Sequence, residues 1–123
     1  MTDGKRSAPV ILIVEDDQLQ RLLTADILEE AGFVTVDACD ADEAVAILES
    51  RSDIVLVLTD INMPGSMDGL KLAHAVRRRW PPIRIIVVSG RGLESELPTD
   101  IRFFAKPYRT DAMISEIRAL IAQ

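Results

Sequence analysis

Four polar sites with different chemistry each follow a short apolar segment of the chain. The acidic pair Glu15-Asp16 follows ILIV, Asp60 follows IVLVLT, Ser89 follows IIVV and Lys106 follows FFA. Carboxylates bind hard divalent cations through oxygen, and a lysine ammonium group pairs with phosphate as a point charge. These groups would form a site for a divalent cation and a phosphoryl group if the fold brings them together.

The apolar segments have the length and the Val- and Ile-rich composition of buried strands in a parallel sheet. Strands are predicted at 10–14, 34–38, 54–59, 83–88 and 101–105. Because helix-like stretches separate them and parallel crossovers are right-handed, the sequence predicts a doubly wound α/β fold with helices on both faces of a five-stranded parallel sheet. Ligands of such sheets bind outside the carboxyl ends of the strands, where the four polar sites fall.

Aspartates at capping positions mark the starts of three predicted helices, at Asp17, Asp40 and Asp68. The last helix is predicted from about Thr110. Residues 90–100 (GRGLESELPTD) contain two glycines and a proline, so the fourth helix is predicted to be short or missing. In the first predicted helix the apolar residues form a stripe at helical spacing, namely Leu19, Leu22, Leu23, Ile27 and Leu28.

Size and composition indicate one acidic globular domain of 123 residues, predicted at 10–123 behind a flexible segment at 1–9. The net charge of −6 argues against a nucleic-acid surface, which needs clustered Lys and Arg. Cys39 is the only cysteine, which points to a reducing compartment. No apolar run approaches the ~18 residues of a membrane helix. We therefore expect a cytoplasmic protein that does not bind membranes.

The carboxylates of Glu15, Asp16 and Asp17 are adjacent at the end of a predicted strand. In the simplest interpretation Asp17 caps the first helix and the other two face water. However, like charges ~4 Å apart repel by about 1 kcal/mol in water and about 4 kcal/mol at an effective dielectric constant of 20. A bound cation would relieve that repulsion at Glu15 and Asp16, and oxygen ligands with room for water suit Mg²⁺.

Asp60 is a candidate nucleophile, because a carboxylate can accept a phosphoryl group to form an acyl phosphate. An Asp before a turn is also commonplace. Ser89, followed by Gly90, either forms an ordinary turn or donates a hydrogen bond to a phosphoryl oxygen. Lys106 is either solvated or points into the acidic crevice, where it would pair with Asp60 and later with phosphate.

From Val10 to Ala122 the sequence resembles the response-regulator receiver domain of two-component signalling. The resemblance is carried by ILIVEDD, LTDINMP with the following MDGLKL, IIVVSG and FFAKPY, in this order. It implies a flavodoxin-like sheet with strand order 2-1-3-4-5. It also implies Asp60 as the phosphoacceptor and Mg²⁺ as the cofactor. The metal ligands would be Asp16, Asp60 and the backbone carbonyl of Asn62, with Glu15 as the acidic partner of Asp16, either directly or through water.

By the same resemblance, Ser89 and Lys106 contact the phosphoryl group, and Ser89 and Phe103 change position on activation. The Lys106–Pro107 peptide is expected to be cis. The sequence departs from the family pattern at two places. The loop MPGSMDG is one residue longer than the usual form, and the stretch from Ser89 to Lys106 is several residues shorter than typical.

These observations predict a single-domain response regulator that is not an enzyme. A histidine kinase or histidine phosphotransfer protein would supply the phosphoryl group, its hydrolysis would reset the protein, and a downstream protein target would read the signal. A magnesium-dependent phosphatase is disfavoured, because such enzymes use a second Asp where this chain has Asn62. Two alternatives stay open: a phosphate-independent interaction module, and a receiver fragment of a larger regulator or hybrid kinase.

Overall fold

A computed structural model of the chain describes residues 9–61, 68–90, 98 and 100–122. Within these residues, five strands and four helices follow one another as β1 (Val10–Val14), α1 (Gln18–Glu30), β2 (Val34–Ala38), α2 (Ala41–Ser50), β3 (Ile54–Asp60), α3 (Gly69–Arg79), β4 (Arg84–Ser89), β5 (Arg102–Ala105) and α4 (Thr110–Ile121).

The strands form one parallel sheet in the order β2-β1-β3-β4-β5. This confirms the predicted doubly wound fold with strand order 2-1-3-4-5. The three inner strands are almost entirely buried, as expected for strands with helices on both faces. The two outer strands, β2 and β5, are only partly buried.

The sheet separates two apolar cores because successive side chains of a strand point to opposite faces. On one face, Leu12 and Val57 pack with Leu48 of α2 and Leu72 of α3. On the other face, the core contains residues from the inner strands together with α1 and α4: Ile11, Ile13, Leu28, Leu56, Ile86, Met113 and Ile117. Helices α1 and α4 therefore share one face, and α2 and α3 the other.

The predicted helix caps are present. Asp17, Asp40 and Asp68 each accept a hydrogen bond from a backbone N–H in the first turn of the following helix, at 2.8–2.9 Å. Each satisfies an N–H that has no partner within its helix, which is worth ~1 kcal/mol. The caps on α1 and α3 fix where these helices leave the sheet, next to the ends of β1 and β3.

The core covers the apolar stripe of α1 only beyond its first two turns. Leu28 is buried, but Leu19, Leu22 and Leu23 are 64%, 53% and 48% exposed. Helical spacing identifies one apolar side of a helix but does not show whether a core covers it. The first half of α1 lies beside the carboxyl edge of the sheet, where the core ends.

Several predictions fall outside the described residues. These include the metal role of Asn62, the extended loop at 62–67 and most of the segment at 90–100, of which only Gly90, Pro98 and Asp100 are described. The predicted flexible segment at 1–9 is also undescribed except for Pro9.

No helix in the described parts of the chain has both the length and the apolar character needed to cross a membrane.

Candidate functional site

The carboxyl ends of the inner strands meet at one edge of the sheet. Asp60, the last residue of β3, pairs with Val88 of β4, and Ser89 pairs with Ala105 of β5. The pairing continues beyond the strands, because the N–H of Lys106 donates to the carbonyl of Ser89 at 2.8 Å. The strand register thus brings residues distant in the sequence to a common edge.

Three carboxylates cluster at this edge. Glu15, Asp16 and Asp60 each place an oxygen within 4.8 Å of the others. Asp16 is exposed, whereas the side chains of Glu15 and Asp60 are 12% and 10% exposed. An all-oxygen set that combines partly buried and solvent-facing carboxylates fits a hard divalent cation that keeps part of its water.

Lys106 reaches into the acidic cluster. Its Nζ lies 2.7 Å from Oδ2 of Asp60, with a hydrogen bond between them, and 3.7 Å from Oε1 of Glu15. One ammonium group therefore contacts two of the three carboxylates. Even with this ion pair, the site carries a net charge of about −2 when all four groups are ionised, so it still attracts a cation.

The pKa values reflect this crowding. Burial and the negative charge of Asp60 raise the pKa of Glu15 above its ordinary value, although the N–H of Asp17 stabilises the Glu15 carboxylate at 3.1 Å. Burial alone would lower the pKa of Lys106, but the hydrogen bond and charge of Asp60, together with Glu15, outweigh it and leave that pKa raised. Lys106 is thus a permanent cation in the physiological range.

The remaining predicted site residues differ in their placement. Ser89 is fully buried at the end of β4, next to the strand that carries Asp60. Phe103 is half-buried on β5 and packs against the core that contains α2 and α3. The Lys106–Pro107 peptide is cis, as the resemblance implied. Asn62 lies outside the described residues.

Sequence reasoning missed Gly69, the first residue of α3. A Cβ at this position would collide with the backbone carbonyl of Asp60 and with Cα of Ile61. Because Gly69 has no side chain, its N–H can donate to the carbonyl of Ile61 at 2.9 Å. The glycine of the MDG stretch therefore allows close packing of α3 behind Asp60. The sequence signal was its position directly after the capping Asp68.

A cavity of about 790 Å³ opens over the acidic cluster. Leu23, Thr24 and Ile27 of α1 form one wall, and Pro107 and Tyr108 form part of another. The exposed leucines of α1 thus continue the wall of the cavity onto the surface. The site is an acidic pocket with an apolar border on one side.

Comparisons with known proteins agree with this arrangement. The sequence model of the response regulator receiver domain matches residues 11–118. The C4-dicarboxylate transport transcriptional regulatory protein DctD of Rhizobium meliloti is 32% identical over 120 residues, which cover 91% of this chain and 25% of DctD. The chain spans about a quarter or less of the length of the relatives it matches.

Solved structures show the same fold. A response regulator receiver protein from Sinorhizobium medicae matches with a TM-score of 0.87 and 26% identity, and the match covers 94% of this chain and 96% of that protein's chain. The response regulator TrrA of Thermotoga maritima, solved in complex with Mg²⁺-BeF, matches with a TM-score of 0.80 and 26% identity, covering 91% of this chain and 98% of its own. The chain therefore belongs to the response regulator receiver domain family.

Proposed function

We propose that this chain receives a phosphoryl group on Asp60 from a phosphohistidine of a partner protein and uses it to switch the binding of a downstream protein. The observation that carries this proposal is the 2.7 Å ion pair between Lys106 and Asp60 inside a cluster of three carboxylates. A carboxylate held in place by an ammonium group can act as an acceptor without further covalent chemistry from the protein.

In the proposed transfer, an oxygen of the Asp60 carboxylate forms a bond to phosphorus while the P–N bond of phosphohistidine breaks and imidazole leaves. The ammonium group of Lys106 stabilises negative charge on the incoming phosphoryl oxygens. The buried hydroxyl of Ser89 donates to one of them in the product. Water later cleaves the acyl phosphate, which releases inorganic phosphate and restores Asp60.

We propose Mg²⁺ as the cofactor, with Asp16 and Asp60 as ligands, Glu15 as an acidic partner and Asn62 contributing its backbone carbonyl. The support is the all-oxygen donor set and the presence of Mg²⁺ in the TrrA complex. When bound, Mg²⁺ would screen the repulsion between phosphoryl oxygens and the carboxylates. The residues of the chain position the acceptor and supply the compensating positive charge.

We propose that the phosphodonor is a histidine kinase or a histidine phosphotransfer protein and that it docks over α1. Leu19, Leu22 and Leu23 are exposed in the first two turns, and Leu23 also lines the pocket. An apolar patch continuous with an acceptor pocket suits a protein partner that must insert one side chain. The net charge of −6 disfavours nucleic acid as a direct ligand.

In this proposal the protein is not an enzyme with a separate substrate, because it modifies and resets its own Asp60. We also propose a cytoplasmic location, on the ground that Cys39, its only cysteine, is a free thiol. Phe103 of β5, which packs against the core, is proposed to change its packing when the phosphoryl group draws Ser89 and Lys106 inward.

A small acyl phosphate such as acetyl phosphate tests the proposal without a partner. The chain is incubated with this donor with and without Mg²⁺, and phosphorylation is followed by intact mass and by peptide mapping. We expect Mg²⁺-dependent labelling of the wild type and none of Asp60→Asn. Asp53→Asn is the matched control, because Asp53 is an exposed aspartate that pairs with Arg51 at 2.7 Å.

Three results would overturn the assignment. Label mapped to another residue, or retained by Asp60→Asn, would exclude Asp60 as the acceptor. Absence of labelling in the wild type would favour the phosphate-independent interaction module. Repeated turnover of phosphomonoesters would favour a phosphatase.

A further inference from the structure

Arg21 of α1 links the loop that carries the acidic pair to two neighbouring elements. Its Nη1 donates to the backbone carbonyl of Glu15 at 2.8 Å, and its Nε donates to Oδ2 of Asp37 on β2 at 3.1 Å. The Arg21 side chain is 17% exposed, which makes it one of the more buried cations of the described residues. The two donors of one planar guanidinium group thus hold two acceptors in a fixed relation.

The carbonyl of Glu15 belongs to the peptide plane that leads into Asp16. Because the peptide unit is rigid, fixing this carbonyl also fixes the direction in which the backbone enters Asp16. The N–H of Glu15 donates to the carbonyl of Ala38 at 3.1 Å. Both backbone groups of Glu15 are therefore held, one by β2 and the other by Arg21.

The restrained backbone at Glu15 and Asp16 lies where repulsion between carboxylates would otherwise displace the Asp16 side chain. Asp16 is exposed, and the carboxylates of Glu15 and Asp60 lie within 4.8 Å of its own. Repulsion would turn the Asp16 side chain toward solvent if the backbone were free to rotate. A fixed backbone limits that escape, so less conformational freedom is lost when a cation is bound.

We propose that Arg21 is a positioning residue for the cation site: its guanidinium group holds the Glu15-Asp16 peptide in the orientation that cation binding requires. The inference rests on the proposed function, since it assumes that the acidic cluster binds Mg²⁺. A purely structural role is the competing explanation, because the Arg21–Asp37 ion pair could simply brace α1 against β2. If Arg21 positions the site, its replacement weakens Mg²⁺ binding by the folded protein. If Arg21 only braces α1, its replacement lowers the free energy of unfolding and leaves the Mg²⁺ affinity of the folded protein unchanged.

The test compares Arg21→Met with the wild type by calorimetric titration of Mg²⁺ and by urea unfolding without Mg²⁺. Methionine retains an aliphatic stem but donates no hydrogen bond. We expect the dissociation constant for Mg²⁺ to rise by about 10-fold or more, the range found when groups behind metal ligands are removed. Asp37→Asn, which retains Arg21 and its bond to Glu15, should change the affinity much less.

Arg51→Met is the matched control, because Arg51 also pairs with an aspartate but lies on the exposed C-terminal side of α2. A wild-type Mg²⁺ affinity in Arg21→Met would overturn the inference, and so would an equal loss in Asp37→Asn. If Arg21→Met does not fold, Arg21→Leu, which likewise donates no hydrogen bond, is judged by the same criteria. Failure of the wild type to bind Mg²⁺ or accept phosphate would instead refute the proposed function.

Discussion

Replacement of Glu15 by Gln should stabilise the protein at neutral pH in the absence of Mg²⁺. Glu15 lies within 4.8 Å of two carboxylates, those of Asp16 and Asp60, and 3.7 Å from the ammonium group of Lys106. Two repulsions thus oppose one attraction. A glutamine has the same shape and can still accept the hydrogen bond from the N–H of Asp17, so the substitution mainly removes charge.

The magnitude follows from these separations. Each repulsion at 4.8 Å amounts to about 0.9 kcal/mol at the dielectric constant of water and about 3.5 kcal/mol at an effective value of 20. The attraction at 3.7 Å amounts to about 1.1 and about 4.5 kcal/mol under the same conditions. With two repulsions and one attraction, the net gain of Glu15→Gln is therefore between about 0.7 and about 2.5 kcal/mol in the free energy of unfolding.

The gain should depend on pH in a definite direction. The pKa of Glu15 is raised in the folded state, so this group costs stability once the pH exceeds its ordinary value of 4.5, and the full cost is present above the folded-state pKa. Below that ordinary value Glu15 is protonated in both states, and the two proteins should be equally stable. Saturation with Mg²⁺ should reduce the advantage of Glu15→Gln, because the wild type gains about 1.4 kcal/mol at ten times its dissociation constant, whereas the variant has one carboxylate fewer at the site and gains less.

Urea unfolding followed by circular dichroism at pH 7 and at pH 3.5, each with and without Mg²⁺, measures these differences. Glu49→Gln is the control, because Glu49 pairs with Arg79 on the exposed surface and its replacement should stay within ~0.5 kcal/mol. The reasoning is refuted if Glu15→Gln is less stable than the wild type at pH 7 without Mg²⁺. It is also refuted if the difference is the same at both pH values.

Two further predictions concern α3 and α1. Gly69→Ala should lower the free energy of unfolding by about 1–3 kcal/mol and slow phosphate uptake from acetyl phosphate, because the new Cβ must displace the carbonyl of Asp60. Urea unfolding measures the first effect and mass spectrometry the second. A variant as stable and as reactive as the wild type would contradict the packing argument. Leu22→Gln should leave stability within ~0.5 kcal/mol, because Leu22 is exposed, but slow transfer from a histidine phosphotransfer protein that labels the wild type. An equal loss of labelling by acetyl phosphate would contradict docking at α1.

The strands and the composition of the site were predictable because both follow from local rules, whereas the strand order followed from the family resemblance. Each inner strand is a short apolar run, and parallel pairing puts the residues after such runs at one edge. Asp60 and Lys106 are 46 residues apart in sequence and 2.7 Å apart in space. The predicted meeting of these two residues is confirmed, whereas their roles in phosphate transfer stay predictions.

The sequence did not predict the structural roles of three residues, because these roles depend on contacts with the backbone or on where the core ends. Arg21 is one of fourteen Lys and Arg residues, and no local pattern shows that it reaches the carbonyl of Glu15. Gly69 matters because it approaches the backbone of Asp60, which only the three-dimensional structure shows. Leu22 belongs to a regular apolar stripe, and its exposure depends on where the core ends.

The outer strands bear on whether this chain resists aggregation. β5 has four residues and begins with Arg102, which pairs with Glu116 of α4 at 2.7 Å. β2 has five residues and carries the charged Asp37 among its exposed positions. Short edges with charged side chains oppose the addition of a strand from another molecule. The two edges of the sheet therefore discourage polymerisation by strand addition, which leaves the helices as the surfaces for reversible contacts with other proteins.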